Sequence, residues 1–241
     1  MLCFAAPRLA LPESYQELKF RKARKGECRF DTTRWDVLAY RPEAIAGVRV
    51  AVTPELASAS EARASFVVAH EEFHDQKSIR RLPASLHEPA ATLAGFLVEA
   101  RPEMGTADPA FLFRQKAVLI NDYGDQATQL YGRYDRGELT ESEALHQKQA
   151  LFDALQTDCA NLAATPAFNP CPAALNNAGL AFDTTYTRLY PLIHELLPAT
   201  GWDREETLRV LMFDLPETPE IERNPRQALQ GLIARTRSAT R

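Results

Sequence analysis

The sequence predicts an α+β protein that is predominantly α-helical and has a small β element near its N-terminus. Residues 35–40 and 48–53 are rich in β-forming side chains, which favours two short strands. Beyond residue 58 the apolar residues recur with the helical period instead. We therefore expect a β-containing segment over residues 1–57 and a helical segment over residues 58–241, which are either two domains or parts of one continuous domain.

The overall composition is that of an ordinary globular protein. Of 241 residues, 45% are hydrophobic, and 28 basic residues stand against 32 acidic ones, a formal charge of −4. This excludes collagen-like and disordered chains and argues against broad binding of nucleic acid or an anionic membrane. No apolar run approaches the ~18 residues of a transmembrane span. No signal peptide is visible, so the compartment, cytoplasmic or exported, stays open.

The four cysteines do not form a recognisable redox or zinc motif. Cys3, Cys28, Cys159 and Cys171 include no C-x-x-C pair, which argues against a thiolate zinc site and a thioredoxin-type site. A bridge between Cys159 and Cys171 is the alternative in an oxidising compartment. Because four cysteines are few for a chain of this size, the sequence favours buried free thiols.

The first two predicted helices follow from capping and proline signals. Ser58 and Glu61 have the spacing of a capping box, and no Gly or Pro interrupts the chain from there to Pro83. Pro89 suits the first position of a second helix, which is predicted over residues 89–100. The same kinds of signal predict the later helices, over residues 111–134, 140–163, 175–197 (divided or kinked at Pro191), 203–213 and 224–236.

The first of these helices contains an H-E-x-x-H pattern, His70-Glu71-Glu72-Phe73-His74. Residues four apart lie on one helical face, so His70 and His74 can bind one tetrahedral zinc ion. Glu71 borders that ion and can take a proton from its water. The alternative is a solvated helix with a coincidental motif, but the apolar run at residues 66–69 argues for a buried one.

The spacing leaves the third zinc ligand open. A metzincin would need Gly at position 77 and His at position 80, but this chain has Lys77 and Arg80. The usual gluzincin spacing would place a ligand Glu at position 93 or 94, where this chain has Leu93 and Ala94. Three candidates remain, His87, Glu88 and Glu99. Helical rise separates Glu88 from Glu99 by about 16 Å, so only one of these two can reach the metal.

Three segments of the chain resemble the bacterial predicted aminopeptidase family, a gluzincin-like group of metallopeptidases. They are HEEFHDQ at residues 70–76, HEPAA at residues 87–91 and LNNAGLAFDTTY at residues 175–186. The resemblance covers about residues 55–215. It implies zinc-dependent hydrolysis of a peptide substrate, with His70, His74 and Glu88 as ligands of Zn²⁺ and Glu71 as general base.

Tyr186 is a further candidate catalytic residue. A phenol beside the metal could donate a hydrogen bond to the oxyanion of a tetrahedral intermediate, and a core tyrosine on an amphipathic helix is the alternative. An aminopeptidase would also need a carboxylate for the free amine of its substrate, and the unplaced candidates are Glu72, Asp75, Glu99 and Asp183. The rival functions are a non-catalytic zinc protein or a helical scaffold with a degenerate site.

Overall fold

The structure, a computed structural model, describes residues 1–23, 25–43, 53–99, 108–163 and 165–240, without the side chains of Ala84 and Glu99. It confirms an α+β fold dominated by helices. The strands β1 (Leu2–Pro7), β2 (Lys19–Lys22) and β3 (Trp35–Tyr40) form an antiparallel sheet in the order β2-β1-β3. The strand predicted at residues 35–40 is confirmed, whereas the one predicted at 48–53 lies mostly outside the described residues.

The helices follow the sheet in the chain. In order, the described α-helices are α1 (Pro54–Ala57), α2 (Glu61–His74), α3 (Ala84–Glu99), α4 (Pro109–Asp135), α5 (Glu141–Ala160), α6 (Asn177–Thr187), α7 (Tyr190–His194), α8 (Leu196–Ala199), α9 (Arg204–Arg209) and α10 (Pro225–Ala239). Short 3₁₀ turns lie at Tyr15–Glu17 and Ile79–Arg81, and a π-helical turn at Val210–Asp214. None of the described helices has both the length and the apolar character needed to cross a membrane.

The chain forms two compact units, each made of separate stretches of sequence. Unit 1 comprises residues 1–42, 115–165 and 169–187, and unit 2 comprises residues 43–114, 166–168 and 188–241. The domain boundary expected after residue 57 stays a prediction, because a compact unit need not fold by itself.

In unit 1 a buried polar network joins the start of α6 to the N-terminal segment. Asn176 caps the helix, since its side-chain oxygen accepts from the backbone N–H groups of residues 178 and 179. The Asn177 amide donates to three carbonyl groups of residues 7–10 and accepts from the Tyr131 hydroxyl at 2.6 Å. Lys148 pairs with Asp36 in the same network, so each buried charge has an opposite charge beside it.

The prediction of free thiols is wrong. Cys3 is joined to Cys28 and Cys159 to Cys171, with Cα–Cα distances of 5.5 and 5.1 Å. Cys159 lies in the last turn of α5, and the loop after that helix returns to bring Cys171 beside it. Such a return depends on tertiary packing, which the spacing of cysteines in the sequence does not reveal.

Two predicted helix starts are also wrong. Ser58 ends α1, and the residue that caps α2 is Ser60, whose hydroxyl accepts from the N–H of Arg63. Helix α3 begins at residue 84, so Pro89 lies inside the helix rather than at its first position. Residues 89–97 are all buried, and their packing outweighs the cost of an internal proline, about 3 kcal/mol.

The other start signals are confirmed. Thr140 and Glu143 form a complete capping box at α5. Asp203 and Asn224 cap α9 and α10 through their side chains. The helix predicted over 175–197 is divided into three pieces, with Pro191 at the start of the second.

Candidate metal centre

Helix α2 brings His70 and His74 to one face within unit 2. Its apolar residues Phe66, Val67 and Phe73 are buried, and His70 is only 8% exposed. The H-E-x-x-H sequence is therefore part of a packed helix, as the apolar run before it predicted. A buried imidazole needs a partner for its ring nitrogens, because an unsatisfied polar group away from water is costly.

Helix α3 supplies the third side chain, Glu88, and packs closely on α2. The close approach depends on Gly95, because a Cβ atom there would lie 2.8 Å from the Phe66 ring and 3.0 Å from its carbonyl oxygen. The rings of Phe66 and Phe96 stack beside this point with centroids 4.5 Å apart. The glycine thus lets the two helices approach closely enough for their polar side chains to meet.

Three donor atoms from these helices converge on one point. The Nε2 atoms of His70 and His74 are 3.1 Å apart, and they lie 3.2 and 3.3 Å from Oε2 of Glu88. A tetrahedral ion with bonds of about 2.0–2.1 Å holds its ligand atoms about 3.3–3.4 Å apart. The triangle has nearly these dimensions, so the buried group of His70, His74 and Glu88 could hold a metal ion.

Hydrogen bonds within the triad shift the pKa values of Glu88 and His74. Burial alone would raise the pKa of Glu88, but hydrogen bonds from His70 and His74 outweigh it and hold that pKa far below its usual range. Burial likewise opposes the protonation of His74, yet the hydrogen bond and charge of Glu88 raise its pKa. The carboxylate is therefore ionised in the folded protein, as a metal ligand must be.

Glu71 lies beside the triad without belonging to it. It follows His70 directly on α2, and its Oε2 atom is buried with no hydrogen-bond partner in the described part of the chain. Burial raises the pKa of this carboxyl group above its usual value, while the charges of His70 and His74 act in the opposite direction. The arrangement leaves one carboxylate oxygen available for a molecule bound at the triad.

Further buried polar atoms around the triad have no hydrogen-bond partner among the described residues. They are Nδ1 of His74, Nε2 of His87 and Oγ1 of Thr92. Buried polar groups of a folded protein are nearly always satisfied by protein atoms, water or a ligand. An ion held by Nε2 of His74 does not reach Nδ1 of the same ring, so water or another bound molecule is needed to satisfy these atoms.

The other predicted site residues have different surroundings. The ring of His87 lies 4.5 Å from that of His74, but His87 is not part of the converging group. The side chain of Glu99, at the last position of α3, lies outside the described part of the structure. Tyr186 belongs to unit 1, where its ring packs on Phe182 with centroids 5.6 Å apart, so its catalytic role stays a prediction.

Sequence reasoning missed two buried residues of α3. Gly95 was not singled out, although a glycine inside an otherwise apolar helix commonly marks a close contact. Thr92 stands one turn after Glu88 on the same face of α3, and this i, i+4 spacing was the available signal.

A scan against models of known protein families found no match to this chain, and searches of curated proteins and of solved structures found none either. The resemblance to the bacterial predicted aminopeptidase family therefore stays a prediction. Function has to be inferred from the geometry of the site.

Proposed function

We propose that this chain is a zinc-dependent metallopeptidase, a hydrolase of the gluzincin-like kind. The observation that supports the proposal is the convergence of His70, His74 and Glu88 at mutual distances of 3.1–3.3 Å, with the Glu71 carboxylate beside them. Structural zinc sites are closed by four protein ligands, whereas hydrolytic sites keep one position open and use a nearby group as general base, a role that the Glu71 carboxylate can fill.

The donor set favours zinc over calcium and magnesium. Two imidazole nitrogens and one carboxylate oxygen form the ligand set of hydrolytic zinc sites, while calcium and magnesium prefer oxygen ligands throughout. Zinc at such a site polarises a carbonyl group and lowers the pKa of bound water. Since the converging group among the described residues has three members, a fourth position is left for substrate or water.

The reaction assigns Glu71 the role of general base. Its buried Oε2 atom accepts a proton from the attacking water, and the carboxyl group then passes that proton to the amine that leaves. His70, His74 and Glu88 would hold the ion through electron pairs that a proton would otherwise occupy. Protonation of any of the three would therefore compete with metal binding.

The resemblance to predicted aminopeptidases supports cleavage at the N-terminus of the substrate peptide. A free amine needs a carboxylate to hold it, and Asp75 pairs instead with Arg80 at 3.7 Å. Glu72 is exposed on α2, and Asp183 is paired with Lys116 in unit 1 at 2.9 Å. Glu99 stands about 16 Å from Glu88 by helical rise, too far to hold an amine at the triad, so cleavage at the N-terminus rests on the resemblance alone.

The two disulfides support an exported protein. Disulfides persist in oxidising compartments and are reduced in most cytosols. Both bridges lie in unit 1, where they tie β1 to the connection between β2 and β3 and the end of α5 to the segment after it. We propose that the chain works outside the cytoplasm.

The proposal is tested by replacing the general base while keeping the metal ligands. Glu71→Gln should bind zinc in a 1:1 ratio, as measured by elemental analysis, yet cleave a peptide library about 10²–10⁴-fold more slowly. Glu72→Gln, at the exposed neighbouring position, is the matched control and should retain full activity.

Three outcomes would contradict the proposal. Normal cleavage by Glu71→Gln would show that Glu71 is not the general base. Stoichiometric zinc with no cleavage of any peptide by the unmodified protein would favour a non-catalytic zinc protein, and failure to bind zinc would favour a helical scaffold.

A further inference from the structure

His87 is a polar side chain at the triad that the proposed function does not use. It precedes Glu88 on α3, and its ring lies 4.5 Å from the ring of His74, inclined by 61°. The side chain is half-buried, but its Nε2 atom is fully buried and has no hydrogen-bond partner among the described residues. A buried imidazole nitrogen in this state costs free energy unless a ligand satisfies it.

Two simpler roles of His87 fit the geometry less well. As a fourth metal ligand it would need a ring nitrogen close to the other three donor atoms, and the converging group does not include it. As a structural residue it would be expected to bond to a carbonyl group or a side chain, as buried polar groups in folded proteins generally do. Its free Nε2 atom beside the triad points to a bound molecule instead.

The chemistry at the triad specifies what that molecule would offer. When water adds to a peptide carbonyl group, the carbonyl oxygen becomes an anion, and hydrogen-bond donors placed at that oxygen stabilise the transition state. Glu71 reaches the triad from α2 and is an acceptor, while His87 reaches it from α3 and can donate. Base and donor thus come from the two helices that supply the metal ligands.

We propose that Nε2 of His87 donates a hydrogen bond to one oxygen of a tetrahedral oxyanion bound at the triad, and this inference rests on the proposed function. No proton is transferred in this contact, so the imidazole stays neutral and the proton that Glu71 handles is unaffected. His87 belongs to the same unit as the triad, and Tyr186, the candidate donor that the sequence offered, stays a prediction.

The inference is tested by anion binding, which does not require turnover. The full chain is loaded with cobalt(II), which takes the place of zinc at nitrogen and oxygen ligands, and its visible absorption is titrated with inorganic phosphate as a tetrahedral oxyanion. His87→Leu should bind phosphate about 10–100-fold more weakly than the unmodified protein, the effect of one hydrogen bond to a charged group. Its metal content should be unchanged.

Two more substitutions at the same position separate a contact from a packing effect. His87→Gln can place an N–H group near the position of Nε2 and should recover most of the affinity. His87→Asn is shorter and should not, so it tests the same point if the leucine variant fails to fold. His146→Leu replaces an exposed histidine on α5 and serves as the control with unchanged phosphate binding.

The outcomes distinguish this inference from the proposed function. Equal phosphate affinity in the unmodified protein, His87→Leu and His87→Asn would overturn the inference, and so would loss of the metal from these variants, which would make His87 a ligand. Phosphate binding that depends on His87, in a protein that cleaves no peptide, would support the inference and refute the peptidase. A protein that binds no metal would overturn both.

Discussion

Substitution of Gly95 by alanine tests whether the packing of α2 on α3 sets the geometry of the metal centre. The added Cβ would lie 2.8 and 2.9 Å from two atoms of the Phe66 ring and 3.0 Å from the Phe66 carbonyl oxygen. Ordinary contacts of such an atom begin near 3.4 Å. The Phe66 ring is buried against Phe96 and cannot turn away freely, so the helices must separate by up to about 0.6 Å.

The expected magnitude follows from where the ligands lie. His70 and His74 move with α2 and Glu88 moves with α3, so separation of the helices lengthens only the two contacts with the carboxylate, now 3.2 and 3.3 Å. The Glu88 side chain can follow by leaving its preferred rotamer, at a cost of about 0.5–1.5 kcal/mol. Zinc affinity should therefore fall roughly two- to twelvefold, which is that cost expressed as a ratio of binding constants.

The assay is zinc competition with a chelating dye, together with denaturant unfolding of the metal-free protein. Overpacking costs about 1–3 kcal/mol, and the better helix propensity of alanine returns about 1 kcal/mol, so the free energy of unfolding should fall by up to about 2 kcal/mol. Gly231→Ala on α10 is the matched control, because its new Cβ meets only the flexible end of Arg235, at 3.5 Å. Wild-type zinc affinity and stability in Gly95→Ala would refute the packing argument.

Three other perturbations give independent tests. Glu88→Ala should weaken zinc binding by more than about 100-fold, which is a larger loss than that caused by replacing a residue that only supports a ligand. A zinc affinity within tenfold of wild type, measured by dye competition, would exclude Glu88 as the third ligand. Replacing Cys159 and Cys171 by alanine should lower the free energy of unfolding by about 3 kcal/mol for a loop of 12 residues, and dithiothreitol should then have less effect on the thermal midpoint than in wild type. Burial lowers the pKa of His194, and the charge of Arg114 lowers it further, so the unfolded chain binds a proton at this residue more tightly than the folded chain does. The contribution of His194 to the free energy of unfolding should therefore be fully present above about pH 6.5 and be lost as the pH falls below that value. In unfolding curves measured at several pH values, His194→Gln should lose less stability on acidification than wild type.

The sequence predicted the long helices well and the N-terminal sheet poorly. The α5 helix could be placed to its first residue, because the capping box of Thr140 and Glu143 is a local signal. Strand β1 was missed, because its residues pair with positions 19–22 and 35–40 rather than with their chain neighbours. Pairings of this kind depend on tertiary contacts, and so did the disulfides.

Helix α3 was misplaced for a related reason. Pro89 is a strong local signal for a first helical position, and the sequence therefore predicts that the helix begins there. The residues after it are buried on every side, so the helix is held by its neighbours and tolerates a proline in its second turn. Where packing energy is large, a local propensity does not decide where an element begins.

The converging triad could be predicted because its residues are close together in the sequence. His70 and His74 lie one helical turn apart on α2, and Glu88 lies on the next long helix, which follows after a short connection. Any antiparallel packing of two such neighbours places the end of the first beside the start of the second, and Glu88 is near that start whereas Glu99 is at the far end. The choice between the two glutamates thus follows from chain connectivity, while the 3.1–3.3 Å spacing depends on a contact at Gly95, two turns further along α3.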